Sequence, residues 1–236
     1  LVARQGEFLP KLPRPSYKKH FLESVKVPRK ITVSDFSMKC GTLEGEATVR
    51  VIEAIEGRIW SKAGSASISV HNGEIKADPA QDLIKIAVIE RFGKTKGPNI
   101  GLALVRNFGL KSGAIGQSIA QDKHDIVVIG VSESDMAVAV NCIQEMQGAI
   151  VVVKDGKLLG SLALPIGGIL SDQTMQQVNE SVLELSRLAK VELGCTMTNP
   201  FACLQFQTHP MIPFLKVADL GLIDVNQQRI VELVEA

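Results

Sequence analysis

"DIVVIGVSESDMAVAVNCIQEMQGAIVVVK", residues 125–154, changes its apolar period twice within thirty positions. Residues 126–129 form a short apolar run that reads as a strand. Ser132 then stands three positions before Asp135, a capping-box pattern in which the serine hydroxyl accepts an otherwise orphan backbone amide, so a helix is predicted to begin there. Met136, Val140, Ile143 and Gln147 keep helical spacing, Gly148 supplies a left-handed stop, and "AIVVV" resumes as a strand. The stretch is therefore a strand-helix-strand unit. Because the right-handed crossover is the favoured connection, Val127 and Ile129 are expected in a strand next to, and parallel with, that of Val151 and Val153.

Downstream, Asp155-Gly156 turns the chain into "KLLGSLALP". Met175, Val178, Val182, Leu185 and Ala189 then mark the core stripe of a long amphipathic helix ending near Gly194. The closing "QQRIVELVEA" reads as a short terminal helix. Upstream, alternating runs such as "ATVRVIEAI" and "ASISV" read as strands, and Asn72-Gly73 between "SISVH" and "EIKA" is a type I′ hairpin signal. Residues 1–30 hold four prolines and a basic excess. They are expected to form an extended arm lying across other structure or remaining mobile, without contributing to a core. The resulting picture is an α+β protein: the arm over 1–30, a β-rich segment over 31–77, and over 78–236 a mixed sheet with packed helices. No repeat of fixed period and no low-complexity tract interrupts it.

With 236 residues, 45% of them hydrophobic, the chain can bury a sizeable core. Its 26 Lys and Arg against 25 Asp and Glu leave a net charge of +1, which offers no field for nucleic acid or an anionic membrane. Aromatics at 4% are too few for a stacking groove along a single strand. Neither nucleic acid nor membrane is therefore expected as a partner. Cys40, Cys142, Cys195 and Cys203 show no CxxC spacing, so free thiols in a reducing cytoplasm are expected. A chain that opens on Leu1 rather than Met is expected to be the later portion of a longer polypeptide.

Few constellations suit chemistry. Gly93-Lys94-Thr95 resembles the end of a phosphate loop, but Val88 occupies the position of the earlier glycine and Pro98 opposes the helix such a loop needs. Ser118 in "GQSIA" has half of a nucleophile elbow without the strand-to-helix turn. His20, His71, His124 and His209 lie too far apart for an HxH or HExxH pair, so no metal site is expected in this chain. One pair remains. If "AQDKHD" is extended, Asp122 and His124 share a face while Gln121, Lys123 and Asp125 point the other way. A carboxylate beside an imidazole fixes its tautomer and raises its pKa, as suits a general acid or a group supporting one. The same residues also fit a solvated turn capped by aspartates.

From about Asp78 onward the chain resembles the C-terminal region of adenine deaminases of the amidohydrolase type. The stretches carrying this are "DLIKIAVIERF", "NFGLKSGAIGQSIAQDKHDIVVIG", "DMAVAVNCIQEMQGAIVVVKDGK", "LALPIGGILSD", "NPFACLQF" and "MIPFLKVADLGLIDV", in the family's order. Residues 31–77 are similar more loosely, to the segment joining the family's barrel to its last domain. The resemblance implies hydrolysis of adenine to hypoxanthine and ammonia, with manganese or iron held in a (β/α)₈ barrel upstream of these residues. It implies as partners adenine, the metal-bearing barrel and, in a homo-oligomer, further copies of the chain. Relatives read His-Asp-Ser-His-Asn where this chain keeps Asp122 and His124 but has Gln121, Lys123 and Asp125. Where they read "ERH" it has Phe92, and "QFQTHPMIP" departs from a more apolar "SFLALPVIP". Asp122 and His124 are thus the candidate catalytic residues, in an accessory role. The isolated chain is expected to retain no stoichiometric metal and not to deaminate adenine. The rival expectation is a non-catalytic oligomerisation or interaction module.

Overall fold

The computed structural model describes residues 3–5, 7–8 and 15–235. Two short strands, β1 (Ala3–Arg4) and β2 (Glu7–Phe8), pair with each other before a one-turn helix, α1 (Lys19–Leu22). A 3-10 turn at Val33–Phe36 leads into β3 (Met38–Lys39), β4 (Gly45–Glu53), β5 (Lys62–His71) and β6 (Glu74–Ile75). Next come β7 (Ile84–Ile89), β8 (Ile100–Arg106), β9 (Ala114–Gln117), β10 (Ile126–Gly130), α2 (Glu133–Glu145), β11 (Ala149–Lys154) and β12 (Lys157–Ala163). The chain closes with α3 (Met175–Leu193), α4 (Pro200–Phe206), β13 (Leu215–Ala218), β14 (Gly221–Asp224) and β15 (Arg229–Ile230). Ten strands make one mixed sheet in the order β12-β11-β9-β10-β7-β8-β4-β5-β6-β3, and β13-β14-β15 make a small antiparallel sheet. The class is α+β.

The central strands β7, β9 and β10 are buried at every position, and apolar but for Lys85 and Gln117, because both faces of the sheet are covered there. In β10, Ile126 and Val128 face α2 with Met136, Val140 and Ile143, whereas Val127 and Ile129 face α3 and α4 with Leu185, Ala189 and Leu204. Each such side chain, wholly buried, contributes on the order of 2 kcal/mol. A third cluster, built on Val49, Val51, Ile68 and Val70, fills the β4-β5 end.

The strand-helix-strand unit is present, but its strands are not neighbours. β9 lies between β10 and β11 and pairs antiparallel with both, Gly116 opposing Val128 on one side and Val151 on the other. β10 and β11 consequently run the same way with one strand inserted. Gly116 permits this, because Ile143 Cδ1 of the overlying α2 sits 3.2 Å from where a Cβ would be. The α2 start is as read, with Ser132 Oγ accepting Asp135 N at 3.3 Å. The Asp135 carboxylate does not return to the cap and instead accepts Gly156 N, at 2.7 Å, from the β11-β12 turn. In that turn Asp155 and Gly156 adopt φ of 51° and 73°, a left-handed pair that glycine takes without strain.

Three further expectations are corrected. Met175 is 88% exposed, so the buried stripe of α3 begins only with the half-buried Val178 and Val182. The last residues form no helix: β15 is followed by a segment running along β4, with Arg50 N donating to Leu233 O and Glu235 N to Thr48 O, both at 2.8 Å. Arg50 Nη1 reinforces it by gripping Glu232 O at 2.8 Å. The end of the arm also reaches the core, since Val25 and Val27, with Ile31 just beyond it, are buried against α2, whereas residues 1–2, 6 and 9–14 of the arm lie outside the described residues. Its main chain is met by side-chain amides of α2 and the turn after it. Asn141 bonds both N and O of Ile31, Gln147 both N and O of Val25, and Gln144 the carbonyl of Val27. These amides replace a strand partner.

Candidate functional site: a polar seam at the ends of β7 and β10

The register pairs Ile89 with Ile126, so the residues that follow β7 lie beside those that precede β10. "ERF" at 90–92 therefore meets "QDKHD" at 121–125. Residues 205–208 join them, because Gln121 N donates to Gln205 O at 3.2 Å and Thr208 Oγ donates to Gln121 O at 2.5 Å. Residues 90–92, 121–125 and 205–208 thus converge in one seam.

Residues 121–124 form a turn, with His124 at φ 57°, so strand alternation does not operate there. Asp122 is exposed, His124 half-buried and Asp125 buried. The Nδ1 atom of His124 is itself buried and without a hydrogen-bond partner. Burial and the positive charge of Arg91 push the His124 imidazole below its ordinary value, against an upward pull from Asp122. This reverses the expected direction. Asp122 lies in water, where its field is screened, whereas Arg91 acts from the protein side. At neutral pH the imidazole is uncharged and able to accept a proton rather than poised to give one up.

Lys123 does not stand apart from this arrangement either. Its ammonium bridges Asp125 at 3.2 Å and Asp219 at 2.9 Å, tying the turn to the β13-β14 connection, and Asn99 Nδ2 donates to Asp219 at 3.3 Å. Burial raises the Asp125 carboxyl while Lys123 opposes the rise. Glu90, 1% exposed, accepts Phe92 N at 2.6 Å and Lys94 N at 3.3 Å. The Lys94 amide of the "GKT" loop thus already has a carboxylate on it. Ser118 is likewise occupied, donating to Gly168 O at 2.5 Å and accepting Ala149 N at 3.0 Å.

Arg91 was not singled out by sequence reasoning, although an Arg closing the strand "IKIAVIER" was a visible signal. It is 2% exposed, and its guanidinium donates to His124 O, Ser24 O and Oγ, and Gly167 O. Among the described residues no three His, Cys, Asp or Glu side chains converge on one point. The donor set here does not fit the manganese or iron that the resemblance implies. What the seam offers is a neutral imidazole, a held main chain and paired carboxylates.

Fold and seam together define an α+β domain with a polar seam in loops at the ends of two central strands that are buried on both faces. The chain belongs to the adenine deaminase C-terminal domain family, whose model matches residues 58–229. It is 39% identical over 232 residues to adenine deaminase 1 of Carboxydothermus hydrogenoformans, covering 98% of this chain and 38% of that protein. Against the adenine deaminase of Desulfatibacillum aliphaticivorans the identity is 42% over 201 residues, 85% of this chain and 34% of the relative. That of Gluconobacter oxydans is 39% identical over 206 residues, 87% of this chain and 35% of the relative. The chain thus spans less than two-fifths of the length of these curated relatives. No helix among the described residues is long and apolar enough to cross a membrane.

Proposed function

We propose that the chain is the C-terminal part of an adenine deaminase and that its seam borders the active-site mouth, the metal-bearing barrel lying outside these residues. In this reading the whole protein hydrolyses adenine to hypoxanthine and ammonia in cytoplasmic purine salvage. The observation that carries the reading is the meeting of residues 90–92, 121–125 and 205–208 in a family whose relatives are named adenine deaminases. Deamination moves protons at a ring nitrogen and at the leaving amine. His124, neutral at pH 7, suits the accepting half of such a transfer, and Asp122 beside it keeps the turn open to water. No step is assigned to a metal on this chain.

The test is His124→Ala in the full-length protein. Turnover is expected to fall roughly 10²-fold, the scale of an acid-base group, with metal content unchanged. A fully active variant returns the turn to a solvated loop. One observation favours the assembly reading as well: β12 ends the sheet, and its Leu158 and Leu159 are 38% and 36% exposed. On that reading Leu159→Lys lowers the sedimenting mass, and an unchanged mass rejects it.

A further inference from the structure

We infer that Arg91 is the positioning residue of the seam, one guanidinium holding the His124 turn, the Ser24 segment and the Gly167 loop in a single arrangement. The inference rests on the reading of the seam as an active-site margin. Nη1 donates to Ser24 Oγ at 3.1 Å and to Ser24 O at 3.4 Å, Nη2 donates to Gly167 O at 2.9 Å, and Nε is taken by His124 O. Four of the five N–H groups of an arginine are thereby committed. These acceptors lie 33, 67 and 76 positions away in sequence, so three segments far apart in the chain converge on one side chain.

Every acceptor is a neutral oxygen. Burying a guanidinium carries a desolvation cost that these neutral oxygens offset, with Asp125 the carboxylate whose charge acts on it through space. Its fork geometry and its charge are what an apolar replacement lacks. The fork fixes the His124 backbone, and the charge helps keep the imidazole uncharged; Asp122, on the same turn, is the opposing group. The surroundings are shaped to the guanidinium. Gly168, at φ 73°, approaches so closely that an added Cβ would collide with Nη1 and lie 3.0 Å from both Cζ and Ser24 Oγ. The Phe92 ring lies 4.6 Å from Cζ.

The test uses Arg91→Lys, Arg91→Met and Gly168→Ala in the full-length protein. Two readouts are taken: adenine deamination across pH, and carbethoxylation of His124 by diethyl pyrocarbonate followed peptide by peptide by mass spectrometry. Arg91→Lys keeps the charge and loses the fork, so kcat is expected to fall roughly 10²-fold with KM for adenine little changed. Gly168→Ala, which displaces the guanidinium without removing it, lowers kcat and leaves the pH midpoint of His124 labelling in place. Arg91→Met moves that midpoint upward, and at pH values above it labelling is faster because the released turn exposes the ring. Wild-type kcat in Arg91→Lys, or a midpoint that Arg91→Met does not move, overturns the inference. A wild-type protein that does not deaminate adenine defeats the functional reading, and the labelling midpoint and rate still decide whether Arg91 places His124.

Discussion

Two lysines show what individual residues contribute. Lys216 is wholly buried, its ammonium donating to Phe206 O at 2.8 Å and Ile59 O at 3.3 Å, and burial lowers its pKa from 10.5 to about 8. Between about pH 8 and 10.5 the unfolded chain therefore holds more protons than the folded one, and stability rises with pH. The buried thiols of Cys195 and Cys203, raised to about 11 and 12, act in the opposite sense once pH passes 9. The difference between wild type and Lys216→Met isolates the lysine. Denaturant titrations from pH 7.5 to 9 are expected to show wild type gaining relative to the variant, approaching about 1 kcal/mol per pH unit, and a flat difference counts against the assignment. Lys123 behaves otherwise. Lys123→Met leaves Asp125 and Asp219 without their shared cation, at a cost of about 2 kcal/mol at pH 7 after allowance for the half-exposed ammonium. Asp125, already raised by burial, rises further, so the folded form takes up its proton first and the deficit shrinks as pH falls. Melts at pH 7 and 5.5 read this directly.

Elements whose signals are local were legible in the sequence. Asn72-Gly73 and Asp155-Gly156 carry their left-handed conformations in their own side chains or the lack of one, and both form the expected turns. Ser132 caps α2, and Gly194, at φ 80°, closes α3. Elements defined by distant partners were not legible. β9 has four residues, one of them glycine, and nothing in "AIGQ" announces a strand that receives two neighbours. The terminal segment carries apolar residues whose spacing suits a helix as well as a strand, and Arg50 and Thr48, some 185 positions earlier, decide between them. Asp135 gave a half-correct signal: the residue type marks the helix start, yet its carboxylate serves the next hairpin. Asp135→Ala is accordingly expected to cost about 1–2 kcal/mol and to raise amide exchange at Gly156 more than within α2. Equal exchange in both places would contradict this.

At the scale of the whole molecule, the candidate site was legible as residue types but not as a geometry. Asp122 and His124 stand out in the sequence as a polar pair two positions apart directly before an apolar run. Their relation was misjudged because a turn replaces the extended segment, and no local pattern reveals that Arg91 supplies the nearby charge. The meeting of residues 90–92 with 121–125 follows from one register, Ile89 against Ile126, which sequence periodicity does not fix, and residues 205–208 reach it through their bonds to Gln121. Docking of the arm is a molecular property too. Asn141→Ala removes both bonds to Ile31, and hydrogen exchange is expected to rise over residues 29–33 with a loss of about 1–2 kcal/mol.

The inserted strand also makes two strands hang on a third. β11 and β12 meet the rest of the sheet through β9 alone, on a register of four residue pairs. The whole β11-β12 hairpin is thus moored by a four-residue strand. A β-branched residue at Gly116, whose first added carbon would already lie 3.2 Å from Ile143 Cδ1, would press on α2 and on that single mooring together.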